Sequence, residues 1–341
     1  MTDWGLLTED QREALWELKR HQPTMPWRRV ARQLKVDPFS PCCQRRAREY
    51  VDKRRAEYLD TLQRQDERNY LDALIEHQDA YSKLFKKRTE IIVHIDEEQP
   101  FALALPADLH IGNPGTDLRT LFDHAEMMGA ADGLYVGIGG DAHDNWSNNA
   151  ITDYSHPVIP AGAELLVLRQ YCELLSHRLR FMRSGNHDGW MSVLTGLDSM
   201  EWMARQVQVP YGSDMCMVRV QCHGAEYRVA CAHKYKYSSS FNLTHTVKRL
   251  WEMGQWDFDI GVVEHQHVPA IEPFRKHGQV KVAIRPGTYK TRDAWAVKQG
   301  FSGAHIGVPV VYLWPGEHRI EWQASWDLER CLDRLGELRR G

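Results

Sequence analysis

Five short apolar runs in this chain are each followed by a cluster of Asp, His or Asn. Phe101–Leu105 precedes Asp108-Leu109-His110, and Leu134–Ile138 precedes Gly140-Asp141-Ala142-His143-Asp144. Leu179–Met182 precedes Gly185-Asn186-His187-Asp188. Val229–Cys231 precedes His233, and Ile260–Val263 precedes Glu264-His265-Gln266-His267. Short apolar runs bounded by turn-forming residues read as buried strands. Helical patterns lie among them at Leu118–Ala130, Ala161–His177 and Leu243–Met253, and later strands at Val282–Ile284, Val308–Trp314 and Ile320–Ala324. The alternation predicts a layered α/β domain. Its polar clusters fall at strand C-terminal ends, where such sheets build their sites.

The residue types in those clusters narrow the chemistry. The chain holds 17 histidines, and imidazole is the commonest metal ligand. Carboxylate and imidazole together suit Mn²⁺, Fe or Zn²⁺. There are more donors than one ion needs, and two ions about 3.5–4 Å apart would use them with one carboxylate shared. Seven cysteines, an odd number with no Cys-x-x-Cys spacing, argue against a disulfide framework or zinc ribbon. They fit a reducing, cytoplasmic setting. No apolar run approaches the roughly 18 residues of a membrane helix. The start, MTDWGLLTEDQRE, lacks the basic-then-apolar pattern of a secretory signal.

Charge is uneven along the chain. Residues 28–55 carry ten Lys/Arg against Asp37, Glu49 and Asp52, a local +7 in a chain of net −3. A basic segment on an acidic body points to a polyanionic partner. Thr8-Glu9-Asp10-Gln11 forms a capping-box pattern ahead of Leu15, Trp16 and Leu18. Trp27, Val30, Ala31 and Leu34 recur at helical spacing, and Val36-Asp37-Pro38-Phe39 ends that helix. Ser40 then offers an N-cap and Pro41 a first helical residue. A short helix, a turn and an arginine-bearing helix resemble a helix-turn-helix, with Arg45, Arg46 and Arg48 as its nucleic-acid contacts. A small helical bundle with a solvated basic face is the alternative. After Pro41 there is neither Pro nor Gly as far as Arg88, which predicts one long charged helix over about Ser40 to Arg88, with a homo-oligomer contact open to it. The expected organisation is a helical module over residues 1–58, a connecting helix over 59–90, the α/β domain over 91–326 and a C-terminal helix over 327–341.

The ordered set D-x-H, G-D, G-N-H-D, His and H-x-H resembles the calcineurin-like metallophosphoesterases over about residues 101–290. The resemblance implies an α/β; calcineurin-like layered α/β/β/α sandwich, here with a small all-α N-terminal domain and a long connecting helix. It implies one metal held by Asp108, His110 and His267, a second held by Asn186, His233 and His265, and Asp141 bridging them. His187 would face the scissile phosphate as general acid or transition-state stabiliser, oriented by Asp188. The implied cofactors are two divalent ions, Mn²⁺ first, with Fe, Zn²⁺ or Mg²⁺ as alternatives. A hydroxide bridging the two metals would attack phosphorus in line with the leaving oxygen.

The chain departs from that pattern at Glu264, where the family has a glycine before H-x-H. The loop must then differ, or Glu264 reaches a ligand. His223 and His245 compete with His233 for its role. Asp144 is expected behind Asp141 or His187, and His143 is expected to be a loop residue. Lys234, Lys236 and Ser238–Ser240 are candidates for substrate contact. Trp146, Asn148, Asn149, Tyr154, His156 and Trp190 form a candidate aromatic rim, and Arg285, Lys290 and Arg292 are candidate cations near the site. Family members cleave monoesters, diesters and nucleic acids. The basic module favours a phosphodiesterase or nuclease on DNA or RNA. A phosphatase or small-molecule phosphodiesterase, or a non-catalytic nucleic-acid-binding protein, remains the alternative. No membrane partner is expected.

Overall fold

A computed structural model describes residues 2–64, 72, 74–80, 82–83, 89–144, 159–254, 256–292, 304–323 and 325–341. The chain divides into two compact units, Met1–Ser82 and Lys83–Gly341. No helix among the described residues is long and apolar enough to cross a membrane.

The first unit holds three helices: α1 (Glu9–His21), α2 (Trp27–Gln33) and α3 (Pro41–Arg64). The capping box forms as its sequence dictates. Gln11 N donates to Thr8 Oγ1 at 3.2 Å, and Thr8 N donates to Gln11 Oε1 at 3.0 Å. Ser40 caps α3 by accepting from Cys43 N at 3.1 Å, with Pro41 as the first helical residue. Leu15, Trp16, Val30, Ala31, Leu34, Phe39, Cys43 and Ala47 close a small core between the helices. Arg45, Arg46 and Arg48 lie on the exposed face of α3. The expected run of helix past Arg64, and the oligomer contact expected of it, fall largely outside the described residues.

The second unit is built on two six-stranded sheets. One sheet is ordered β12-β11-β2-β3-β4-β5. Its strands are β2 (Phe101–Ala104), β3 (Leu134–Ile138), β4 (Leu179–Arg183), β5 (Tyr211–Gly212), β11 (Val310–Leu313) and β12 (Ile320–Trp322). The other is ordered β1-β6-β7-β8-β10-β9. It holds β1 (Glu90–His94), β6 (Met215–Cys222), β7 (Ala225–Ala232), β8 (Ile260–Val263), β9 (Ala270–Lys276) and β10 (Gln279–Arg285).

Strand periodicity sorts the side chains into layers. Phe101, Leu103, Tyr135, Phe181, Val311 and Leu313 meet Val218, Val220, Tyr227, Val229, Ile260 and Val262 between the sheets. Ala102, Ala104, Val136, Ile138 and Met182 face the opposite way. There they pack on α4 (Leu118–Ala130), α5 (Ala161–Leu175), α7 (Ser199–Gln206) and α9 (Leu328–Arg340), through Leu121, Leu168, Met203 and Leu335. Ala230, Ala232 and Ala283 cover the outer face of the second sheet with Val247 and Leu250 of α8 (His245–Met253). The result is an α/β/β/α sandwich. The C-terminal helix is one of its outer layers, since Leu328, Cys331 and Leu335 belong to the same core as Leu134 and Val136.

The parallel strands β2, β3 and β4, with β7 and β8, send their C-terminal ends toward one rim. At β3 the register shifts between Val136 and Gly137, beside Phe181 of β4. A Cβ on Gly137 would lie 2.0 Å from the Phe181 ring. Gly137→Ala is therefore expected to lose about 1–3 kcal/mol in urea unfolding, the usual cost of overpacking. Adding Phe181→Leu should recover part of it.

Candidate metal centre

The expected ligands occupy loops that leave those strand ends, and the loops pair with one another beyond the sheet. Asp108 N donates to Gly140 O at 2.9 Å, His110 N to Asp141 O at 3.0 Å, and Asp144 N to Ile111 O at 2.8 Å. The ladder holds an uncommon backbone. Asp108 (φ 50°), His110 (47°), Asp141 (55°), His265 (73°) and His267 (58°) all adopt the left-handed conformation. Non-glycine residues there store about 1–3 kcal/mol each and persist only when their surroundings fix them. Two motif glycines serve close approach. A Cβ on Gly185 would fall 2.2 Å from Asp141 Oδ1, and one on Gly140 would fall 2.6 Å from the Gly185 Cα.

Three groups of side chains come together: Asp108, His110 and His267; His110, Asp141 and His187; and Asp141, His233 and His265. Within each group one donor atom per residue lies within 4.8 Å of the others. Asn186, the first residue of α6 (Asn186–Thr195), brings its Oδ1 to 3.0 Å from His233 Nε2. All seven expected ligands thus stand around one cleft, with His187 among them. His233, rather than His223 or His245, holds its expected position. His223 instead pairs with Asp96 at 3.0 Å, and His245 opens α8.

The partners of the rings assign their protons. Asp144 Oδ1 lies 3.0 Å from His110 Nδ1, which places a proton there and leaves a lone pair on Nε2. That Nε2 is 3.1 Å from His267 Nε2. Glu264 Oε2 lies 3.1 Å from His233 Nδ1, so His233 Nε2 faces Asn186 Oδ1 and, at 3.0 Å, Asp141 Oδ2. Asp108 Oδ1 and Asp141 Oδ2 are buried without a hydrogen bond. Acceptors converging on acceptors in a buried site fit a cation, and the N/O donor set fits a first-row divalent ion.

The titration behaviour of the cluster has the same origin. Burial pushes the Asp108 carboxyl up and His110 well down, aided by Lys290. Burial and then His233 lower His265 to about 3. At His233 burial opposes the charge, but Asp141 overcomes it and the ring is shifted well upward. A proton on Nε2 there stands where a cation would, between the imidazole and Asp141. Asp141 itself is held low, because His233 and His187 outweigh the cost of its burial.

A ring of further polar groups fixes the donors, and sequence reasoning resolved it only in part. Asp188 holds backbone amides and His143. Its Oδ2 accepts from Asp141 N and Gly185 N, each at 2.7 Å, and its Oδ1 lies 2.7 Å from His143 Nδ1. His143, expected as an ordinary loop residue, is buried, and Asp188 raises it against the cost of burial. His187 Nδ1 donates to Asp144 O at 2.7 Å, and Trp190 packs on its ring at 4.1 Å between centroids. Asp144 therefore supports His110 through its side chain and His187 through its backbone. Lys290 Nζ lies 3.9 Å from Asp144 Oδ1. Arg285 does not face the cleft as expected. It is buried, and its guanidinium donates to Val268 O at 2.6 Å and Leu243 O at 3.1 Å. Lys234, Lys236, Ser238 and Ser240 are exposed. Of the expected aromatic rim, Trp146 to His156 lie outside the described residues.

No protein-family model matches the chain, and no curated protein sequence matches it. Solved structures with a similar chain course include a metallophosphoesterase from Sphaerobacter thermophilus (11% identity, TM-score 0.34, 70% of this chain and 94% of that one). The nuclease MPE of Pseudomonas putida is another (12%, TM-score 0.31, 65% and 87%). Vps29 of Chaetomium thermophilum is a third (12%, TM-score 0.35, 65% and 96%). In this chain itself, the two-sheet sandwich and the five motifs at its strand ends match the layered fold that the resemblance to the calcineurin-like metallophosphoesterases implies.

Ion binding should couple to folding. Titrating Mn²⁺ is expected to raise the thermal midpoint, by about 2.7 kcal/mol of stability once free ion reaches a hundred times its Kd. Asp141→Ala, which removes the acceptor common to two of the groups, should leave the melt insensitive to Mn²⁺.

Proposed function

We propose that the chain is a metal-dependent phosphoester hydrolase, and within that class a phosphodiesterase acting on nucleic acid. The observation that carries the reading is the convergence in one buried cluster of Asp108 Oδ1 and Asp141 Oδ2, which lack a hydrogen bond, with histidine nitrogens that face one another and these carboxylates. Asp108, His110 and His267 would hold one ion and Asn186, His233 and His265 the other, with Asp141 between. When bound, such a pair of ions lowers the pKa of water toward neutrality and neutralises charge on phosphate oxygens.

The protein's own residues supply position and proton transfer. His187 is fixed twice, by its backbone N–H on Asp141 Oδ1 at 2.8 Å and by Nδ1 on Asp144 O. With Nδ1 so engaged and Nε2 3.9 Å from Asp141 Oδ2, the Nε2–H of the doubly protonated ring is the group that would donate to a departing oxygen. Trp190 on one side of the ring limits its rotation. Asp188 acts through backbone amides and His143 rather than on the His187 ring.

The nucleic-acid substrate is favoured by the first unit, which offers Arg45, Arg46 and Arg48 on one exposed helix face after a short helix and turn. Arg45 has only a marginal pairing with Glu49 at 4.0 Å, and Arg48 lies over Trp27 at 5.9 Å. Such a face suits phosphate contact, which positions a duplex without reading its bases.

Mn²⁺-dependent hydrolysis of bis-p-nitrophenyl phosphate, p-nitrophenyl phosphate and labelled DNA tests the chemistry. Wild type should cleave the diester and DNA, and His187→Ala should lose about 10²–10⁴-fold while retaining its ions. Cleavage of the monoester alone would make the protein a phosphatase. Replacing Arg45, Arg46 and Arg48 together by Ala should weaken DNA binding and reduce the salt slope by about 2–3. An unchanged slope would remove the nucleic-acid assignment of this face.

A further inference from the structure

Glu264 stands where the resemblance calls for glycine, and it is buried with Arg183, both nearly inaccessible at 2% and 1% exposure. One carboxylate oxygen, Oε1, pairs with the Arg183 guanidinium. The other, Oε2, lies 3.1 Å from His233 Nδ1 and accepts from Gly140 N at 2.9 Å. Arg183 also donates to Asp214 O at a long 3.4 Å, the Cys216 thiol lies beside its guanidinium, and Gly212 lies against its stem. The carboxylate thus ties the end of β4, the loop after β3 and the imidazole after β7 to the start of the β8 loop.

We propose that Glu264 is a positioning residue for the ion held by Asn186, His233 and His265, and that its pairing with Arg183 keeps its carboxylate aimed. The inference rests on the dinuclear reading above. Three features carry it. A carboxylate on Nδ1 fixes the tautomer that leaves the Nε2 lone pair pointing at Asp141 and Asn186, and it makes that imidazole a stronger donor. A second bond to Gly140 N, beside the shared Asp141, ties the two donors in one geometry. A buried arginine neutralises a carboxylate that would otherwise be unpaired in the interior. His110 has its own carboxylate in Asp144, so the two halves of the centre are supported by different acids from different loops. Loss of the Glu264 charge should act mainly on the half that His233 holds. No glycine could do this, and a Cβ on Gly139 would collide with Glu264 at 2.4 Å. The space opposite the side chain is therefore already given over to it.

The test is calorimetric titration of the metal-free full chain with Mn²⁺, with bound ion counted after desalting. Wild type should show two sites. Glu264→Gln, nearly isosteric but uncharged, should weaken one of them by about 10–100-fold, the usual cost of losing a carboxylate behind a ligating histidine. The other site should stay within about twofold. Since Glu264→Gln strands the Arg183 charge, the double variant Arg183→Met/Glu264→Gln, with neither charge, is measured beside it and should show the same one-site loss. His110 support by Asp144 gives the internal comparison, because Asp144→Asn should weaken the opposite site. A wild type with two ions and a folded double variant with both affinities unchanged would overturn the positioning role alone. A wild type that takes up no Mn²⁺ would overturn the dinuclear reading and this role with it.

Discussion

The pairing of the Asp108–Ile111 loop with the Gly140–Asp144 loop is the contact on which the site depends. Three backbone hydrogen bonds extend the parallel β2–β3 ladder past the point where the strands end. They hold Asp108, His110 and Asp141 in left-handed backbone, a conformation uncommon for any residue but glycine. The strain is offset by what the sandwich supplies on either side. Thr288 Oγ1 donates to Asp108 O at 2.7 Å, and His265 N to Asp108 Oδ2 at 3.1 Å. The second sheet thereby locks a turn made by the first. A fold with one sheet would have no way to clamp these loops from behind.

That clamp explains why the polar cluster is ordered as it is. Each donor is held through a group other than the atom it presents. Asp144 holds His110 by Nδ1, Glu264 holds His233 by Nδ1, and the Asp144 carbonyl holds His187 by Nδ1. Asp188 holds Asp141 by its backbone amide. The presented atoms are left facing one another, which disfavours the folded state unless a cation or proton stands between them. Ligand orientation is thus decided by protein contacts and is in place before any ion arrives.

The elements that carry the site were legible because each motif is local. A buried strand, a turn and its ligands lie within about ten residues, and the full burial of β2, β3 and β8 gives the continuous apolar runs that mark a covered parallel sheet. The strands that escaped notice are of another kind. Met215–Cys222 alternates half-buried and buried residues and carries Arg219 and Gln221 on its outer face. Ala270–Lys276 contains Pro273, which normally argues against a strand and is tolerated here because β9 is an edge. The support of the site was less legible still. Arg183 and Glu264 are 81 residues apart in sequence, and nothing local marks either as the other's partner. His143 looked like a loop residue because its partner, Asp188, comes from a different strand end. Two supports gave a signal: Glu264, as a side chain where the pattern has none, and Asp144, as an acid just after Asp141.

The charge of the centre ties these features to the substrate. Five buried carboxylates, Asp108, Asp141, Asp144, Asp188 and Glu264, stand against Arg183 and Lys290. With neutral imidazoles the cluster is negative, and a phosphodiester anion approaching it would be repelled in a medium of low dielectric. Two divalent cations reverse that sign and leave a small positive excess, enough to attract a singly charged diester. Arg183 matters to this balance although it never faces the cleft. By neutralising Glu264 from behind, it spares the ions that charge and leaves more of their field for the phosphate. The basic character expected of the loop after β10 is partly spent inside the fold, since Arg285 binds backbone carbonyls. On the proposed reading, the attraction for phosphate at this centre would come mainly from the ions that the ligands gather.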